Sequence, residues 1–338
     1  MSGITEVAER AGVSKATASR ALSGTGYVSE ATRRRVRDAA DELGYVPSAG
    51  AVGLATGRTQ NIGVVMPYVN RWFFAEVLEG IQQALLERGL DLTLYDAKPG
   101  TEERARIFGD FLARKRFDGL IAVGLEPADH ELERLTRIGR PIVSVVGTGG
   151  EASVIAVDDD YTARRATEHL IGLGHRDIVF IGGRPERHWA HVDQMRLAGY
   201  RHAMRDAGLS EQAVHARSEV SMPGGYAAAV DLLSDARRRP TAIVGVCDEV
   251  AIGAIIAARR LGIQVPAALS VVGIDDHEFA DMFALTTLQQ VPRMQGAAAV
   301  EMLLTEIADP QRERTTLRIP TRLIVRNTTA PPHTDRAQ

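Results

Sequence analysis

The chain has 338 residues, 45% hydrophobic, 25% charged and 5% aromatic, with a formal net charge of −3. That length suits one small domain plus a large one, and no apolar run approaches the ~18 residues a membrane span needs, so no membrane-spanning helix is expected. Cys247 is the only cysteine, which excludes a disulfide framework within one chain and makes a reducing cytoplasm the expected compartment. Its expected state is a small buried hydrophobe. Residues 1–6 carry neither a basic nor an apolar region, so no signal peptide is expected. Charge is uneven along the chain. Residues 1–60 hold eight basic and six acidic side chains, so a head of +2 is attached to a body of −5. A mildly basic head on an acidic body is the asymmetry expected of a nucleic-acid reader joined to something else.

Ile4 to Ala11 predicts a short helix with Ile4, Val7, Ala8 and Ala11 on one face. Gly12 stops it, because a left-handed residue is cheap only for glycine. Ser14 then caps a second helix over Lys15–Leu22, with Ala18, Ala21 and Leu22 as its apolar stripe. Two short helices across a glycine turn form a helix-turn-helix unit, and the alanines permit the close approach it needs. A third helix is predicted from the Ser29 cap through Val36, Ala39, Ala40 and Leu43 to Gly44.

The string Gly12-Val13-Ser14-Lys15-Ala16-Thr17-Ala18-Ser19-Arg20-Ala21-Leu22, followed by Val28-Ser29-Glu30-Ala31-Thr32-Arg33 and Leu43-Gly44-Tyr45-Val46-Pro47, resembles the LacI/GalR family of bacterial repressors. The resemblance implies that the start of the second helix enters the major groove. Lys15, Ala16 and Arg20 would then face base edges, while Ser14, Thr17 and Ser19 would hold phosphates. The chemistry agrees: lysine or arginine donates to guanine O6 and N7, and an alanine methyl fits against that of thymine. Short hydroxyls at a helix N-terminus suit phosphate oxygens. Arg33, Arg34 and Arg35 read instead as a solvated face. Residues 48–54 stand where the family carries a hinge helix, with Leu54 on the position that wedges into the minor groove. Gly50 and Gly53 each cost a helix roughly 0.5–1 kcal/mol, so the hinge is expected to order only on DNA. Read by composition, the same segment is a flexible linker.

From Ile62 strands and helices alternate. A buried strand is predicted at Ile62–Met66, a continuous apolar run, and further strands at Leu92–Tyr95, Gly119–Val123, Ile142–Val146, Ile178–Ile181, Ala242–Val246 and Leu269–Ile274. Helices are predicted at Phe73–Arg88, Thr162–Leu173 and Val250–Leu261. The repetition implies doubly wound α/β lobes with ligands at the C-terminal strand ends. Val157-Asp158-Asp159, His169–Arg176, Arg196–Tyr200, Leu269–Asp276 and Leu285-Thr286-Thr287 extend the resemblance over nearly the whole chain. It implies an α/β effector domain of periplasmic-binding-protein type, two doubly wound lobes, behind a small all-α helix-turn-helix domain. The expected division is a DNA-binding head at 1–47, a hinge at 48–60 and an effector-binding and dimerisation domain at 61–330, with a tail at 331–338. Lobe one would take 61–160 and 290–320; lobe two 161–289 and 321–330.

The resemblance places effector contacts in the cleft between lobes, on Trp72, Phe73, Arg196, Asp248, Asp275 and Gln290. Carboxylates with an arginine bind vicinal hydroxyls, and aromatic rings stack on a sugar face. Each has a structural alternative: Trp72 or Phe73 as core, Arg196 as an internal ion-pair partner, Asp248 as a helix cap. A carbohydrate or sugar derivative is the expected effector, although Val220 replaces a ring-stacking aromatic and lactose-like ligands are not expected. Arg71 or Arg184 near the cleft would suit an anionic ligand. Ile181-Gly182-Gly183 lacks dinucleotide spacing. His188-Trp189-Ala190-His191 and Asp158-Asp159-Asp160 lack further metal ligands, and no nucleophile elbow is present. No catalytic residue, metal or cofactor is therefore expected. The expectation is a cytoplasmic, homodimeric repressor on pseudo-palindromic double-stranded operator DNA. Activation instead of repression, or solute binding without DNA, stays open.

Overall fold

In the computed structural model the described residues are 3–24, 26–45, 57–147, 152–183 and 190–333. Residues 48–56 of the hinge, with Leu54, and Arg184 and His188, lie outside them. The head is three helices: α1 (Ile4–Arg10), α2 (Lys15–Ser23) and α3 (Glu30–Glu42). Gly12 takes φ +65° in the turn between the first two. Ser14 and Ser29 cap α2 and α3, their hydroxyls accepting from the Thr17 and Thr32 amides. The buried core is Val7, Ala8, Ala11, Ala18, Ala21, Val36, Ala39 and Ala40, so small side chains hold the helices at short range.

Two six-stranded sheets follow. The first contains β1 (Asn61–Met66), β2 (Asp91–Asp96), β3 (Gly119–Val123), β4 (Ile142–Val145), β5 (Ser153–Ala156) and β11 (Thr316–Arg318). Its order is β11-β5-β4-β3-β1-β2 and every neighbouring pair is parallel. The second contains β6 (Ile178–Ile181), β7 (Val214–Ala216), β8 (Ala242–Gly245), β9 (Ser270–Asp275), β10 (Thr286–Gln289) and β12 (Arg322–Ile324). Its order is β12-β10-β9-β8-β6-β7, parallel except for the antiparallel β10–β12 edge. The chain therefore crosses between sheets after β5, after β10 and after β11. In each sheet the order reverses between the first strand and the third, β1/β3 and β6/β8. Those reversals open crevices at the carboxyl ends of the strands, where α/β sheets bind ligands.

The helices are α4 (Trp72–Leu86), α5 (Glu102–Arg106, continued by a wide π turn over Ile107–Phe111 and a 3-10 turn to Arg114), α6 (Asp129–Arg137), α7 (Asp159–Gly172), α8 (His191–Asp206), α9 (Met222–Ser234), α10 (Asp248–Arg260) and α11 (Pro292–Ala308). β5, β7, β10 and β11 were not read from the sequence. They are three or four residues long and none is a continuous apolar run, unlike the equally short Ile178–Ile181 and Ala242–Gly245. α7 and α10 begin two or three residues earlier than their apolar stripes, because Asp158 caps α7 through the Tyr161 amide and Cys247 stands at the start of α10.

Helix pairs on both sheets meet backbone to backbone. A Cβ on Gly80 of α4 would fall 2.1 Å from the Arg293 carbonyl of α11, and one on Gly296 of α11 would fall 2.2 Å from that of Val77. α7 and α8 cross at Gly199, and α9 and α10 at Gly225 and Gly253, in the same way. Such contacts fix the layers, since close-packed interiors transmit displacement instead of absorbing it. Gly296→Ala is expected to destabilise the protein by about 1–3 kcal/mol through forced helix separation, read as a lower urea midpoint with an unchanged slope.

Candidate functional site

Two surfaces carry the residues singled out in the sequence. On α2, Lys15, Ala16 and Arg20 are exposed, whereas Thr17 and Ser19 are half-buried. The Ser14 and Thr17 hydroxyls lie 2.9 Å apart at the helix start. Arg10 pairs with Glu42 and Arg33 with Glu30, but Lys15 and Arg20 have no ion-pair partner among the described residues. The stem of Arg20 runs along Gly26, where a Cβ would stand 3.3 Å from its Cδ. Two unpaired cations flank an exposed methyl on one helix face, with donors free for an outside acceptor. Tyr27, in the turn between α2 and α3, is 96% exposed.

The second surface is the cleft between the two sheets, a cavity of about 550 Å³. Loops after β1 and β3 and the start of α4 form one wall: Tyr68, Trp72, Phe73 and Phe74 line it. Phe74 meets Tyr68 and Phe73 edge-on, at 5.8 and 5.6 Å between ring centroids. Gly124 makes room for it, as a Cβ there would stand 2.7 Å from the Phe74 ring. Trp72 reaches the other lobe and packs on His277 at 4.8 Å. Glu126, from the loop after β3, accepts a hydrogen bond from the His191 amide at the start of α8. The cleft is thus bridged on both sides.

The opposite wall is centred on Arg196, which α8 points inward. Its Nε donates to Asp159 Oδ1 at 2.8 Å, and Nη1 donates to the Val246 carbonyl at 2.7 Å and lies 3.6 Å from Asp275 Oδ1. Burial pulls the guanidinium down, but Asp159 and Asp275 outweigh it and hold it above its ordinary range. Burial pushes both carboxyls up, with Arg196 holding them back. Asp275 is fixed further by Gln290, whose Nε2 donates to its Oδ1 at 2.6 Å, and Gln295 of α11 donates to Gln290 Oε1 at 3.0 Å. A line of hydrogen bonds, with an ion pair between Arg196 and Asp275, therefore runs from Asp159 through Arg196, Asp275 and Gln290 to a helix on the first sheet.

Five of the six residues proposed for the effector line this cavity: Trp72, Phe73, Arg196, Asp275 and Gln290. Asp248 does not. It is wholly buried, accepting from Thr287 Oγ1 at 2.7 Å and from the His277 amide at 2.8 Å. Successive helix residues diverge by about 100°, so at the start of α10 it is Glu249 that faces the cleft. Nor does Asp248 cap α10; Cys247 precedes the helix, with its thiol buried and pushed up in pKa. Arg196 is both a cleft residue and an internal ion-pair partner. The acidic run also divides: Asp158 caps α7, Asp159 holds Arg196, and Asp160 meets His202 at 2.9 Å.

Sequence reasoning missed Asp193 and Glu249. Asp193 lies in the first turn of α8, a place where acids are common and say little. Here it is half-buried, lines the cleft and makes no hydrogen bond with a described residue. Burial pushes its carboxyl up from 3.8 to about 6, against Arg196 and Arg71. No described residues form a cluster able to hold a metal ion. The wall alternates guanidinium donors with carboxylate acceptors facing aromatic rings, an arrangement suited to binding a small hydroxylated molecule.

Residues 3–48 match the family model for bacterial regulatory proteins of the lacI family, and residues 167–329 match that for a periplasmic binding protein-like domain. The chain is 34% identical to the HTH-type transcriptional repressor PurR of Klebsiella pneumoniae strain 342, over 98% of this chain and 97% of that protein. Among solved structures it is similar to the lac repressor dimer bound to operator and the anti-inducer ONPF (27% identity, TM-score 0.85, 97% of this chain and 99% of that one). It is also similar to the transcriptional regulator CelR in complex with cellobiose (30% identity, TM-score 0.71, 97% and 100%).

The raised Asp193 carboxyl sets a pH dependence. A folded-state pKa above the unfolded one favours the protonated fold, so this contribution is full below about pH 4 and lost as pH rises through 6. Asp193→Asn removes it. The variant is expected to be more stable than the parent by about 1–2 kcal/mol at pH 7.5, with the gain vanishing near pH 4 in denaturant titrations.

Proposed function

The chain belongs to the LacI family of bacterial regulatory proteins, and from that premise we propose how this repressor reads DNA and what its cleft takes. It is a DNA-binding transcriptional repressor controlled by a small effector. The protein acts as a homodimer on operator DNA; we infer a cytoplasmic regulator with no enzymatic activity of its own. The head comprises 1–47 and the hinge 48–60. Lys15, Ala16 and Arg20 read base edges from α2, Ser14, Thr17 and Ser19 hold phosphates, and Leu54 wedges the minor groove. Two heads related by a two-fold axis require pseudo-palindromic half-sites about one helical turn apart.

The effector is a carbohydrate or a derivative of one, held by Arg196, Asp275 and Gln290 against Trp72 and Phe73, with Asp159 behind the arginine. The observation that carries this reading is the buried Arg196 fork between Asp159 and Asp275 at the floor of the cavity. A hydroxyl is both donor and acceptor, so vicinal hydroxyls use a guanidinium edge and a carboxylate together. An effector that prefers one angle between the lobes shifts the dimer toward that angle, and so changes the separation of the hinges. The line through Gln290 to Gln295 of α11 is the route by which the cleft floor meets lobe one. A solute-binding protein without DNA reading is not favoured, since the complete helix-turn-helix head would then serve nothing.

Incubating the protein with sheared host genomic DNA and sequencing what it retains tests the DNA half. One or a few pseudo-palindromes are expected; random retention would overturn it. On such a site, Arg20→Ala is expected to lose about 1–3 kcal/mol of discrimination at one base pair per half-site. An equal loss on random DNA, measured by anisotropy titration, would make Arg20 a phosphate contact.

A further inference from the structure

Charge in the cleft is unbalanced. Among the described residues lining it are six carboxylates against three guanidinium groups. Arg104 and Glu131 satisfy each other at 2.7 Å. Arg196 serves Asp159 and Asp275, and Glu126 is taken by the His191 amide. Asp193 and Glu249 are left over. Neither makes a hydrogen bond or ion pair with a described residue, and both face the cavity. The field of Arg196, already shared by Asp159 and Asp275, reaches Asp193, and that of Arg71 reaches both, yet the Arg71 guanidinium lies on the Tyr68 ring, 3.8 Å from the centroid. Burial pushes both carboxyls up, the signature of charge that lacks a counter-ion in a desolvated place.

Ionised carboxylates only accept hydrogen bonds. A carboxylate or phosphate on the effector would add like charge to this end of the cleft. A neutral hydroxyl would fill lone pairs but leave the excess charge uncompensated. A protonated amine does both, and the rings of Phe73 and Phe74 line the same cavity, a surface that tolerates a cation. We propose that the effector carries a protonated amine, as an amino sugar or a comparable hydroxylated amine does, and that Asp193 with Glu249 forms the subsite that selects it. The proposal rests on the carbohydrate reading of the cleft and narrows it. The anionic ligand suggested by Arg71 is the opposite choice.

Isothermal titration of the full chain at pH 7.5 against matched trios tests this: the amino, neutral and uronic-acid forms of glucose, galactose and mannose. In at least one series the amine is expected to bind roughly tenfold tighter than its neutral counterpart, the worth of one charge-assisted hydrogen bond, and the acid weakest. Asp193→Asn and, separately, Glu249→Gln are expected to reduce that preference to about threefold or less while neutral-sugar binding persists. Neutral or acidic members that bind as well as the amines, or an amine preference that survives both substitutions, overturn the subsite and leave the carbohydrate reading standing. Binding of no sugar in any series overturns both.

Discussion

The guanidinium of Arg196 is the interaction on which the arrangement of the cleft depends. It lies buried where three segments meet: Asp159 at the start of α7, Val246 after β8, and Asp275 at the end of β9. Each partner is itself out of water, so none tolerates the loss of the others. Losing one member of such a buried pair typically costs about 3–5 kcal/mol, because the remaining charge is stranded. Asp275 adds backbone strain, with φ at +133° followed by Asp276 at +60°. Conformations of that kind persist only where surrounding contacts over-determine them, and Arg196 and Gln290 supply those contacts. The ligand site is therefore also a structural joint.

That joint sits between two stiff bodies. Glycine-mediated helix crossings let α4 meet α11, and α7 meet α8, with carbonyls against Cα atoms. Layers packed this closely move as units. Among the described residues they are linked by the three crossings, the Trp72–His277 contact and the Glu126 carboxylate on the α8 amide. Occupying the cavity changes the balance among these contacts, and the Gln290–Gln295 bonds carry the change to a helix of the first lobe. Coupling of this sort needs a ligand that prefers one arrangement; it needs no continuous deformation.

Much of this was legible in the sequence where physics leaves a local mark. Continuous runs such as Ile62–Met66 and Ile178–Ile181 have one reading, a strand buried on both faces, and Ser14 and Ser29 announce helix starts through a capping chemistry few residues share. Arg196 and Asp275 were found because the surrounding motifs resembled a known pattern. The misses share a cause: direction. Asp248 and Glu249 are adjacent acids at a helix start, and only the fold decides which enters the cleft and which turns toward Thr287 and His277. Asp248 fits there because Gly273 has no side chain; a Cβ would meet Asp248 Oδ1 at 2.0 Å, a contact between residues 25 positions apart that no local pattern reveals. Asp158, Asp159 and Asp160 likewise look alike in sequence yet perform three different tasks.

The central claim is that occupancy of the Arg196 cleft sets affinity for operator DNA. Its most direct test is an anisotropy titration of a retained operator with and without the dialysable metabolite fraction of the host, for the parent and for Arg196→Lys. Lysine keeps the charge that Asp159 and Asp275 require but loses the planar fork. The account predicts a shift of at least about fivefold in operator affinity for the parent and little or none for the variant, with the two proteins equal in the absence of metabolites. An equal shift in both would remove the cleft from the mechanism, and no shift in either would contradict effector control altogether.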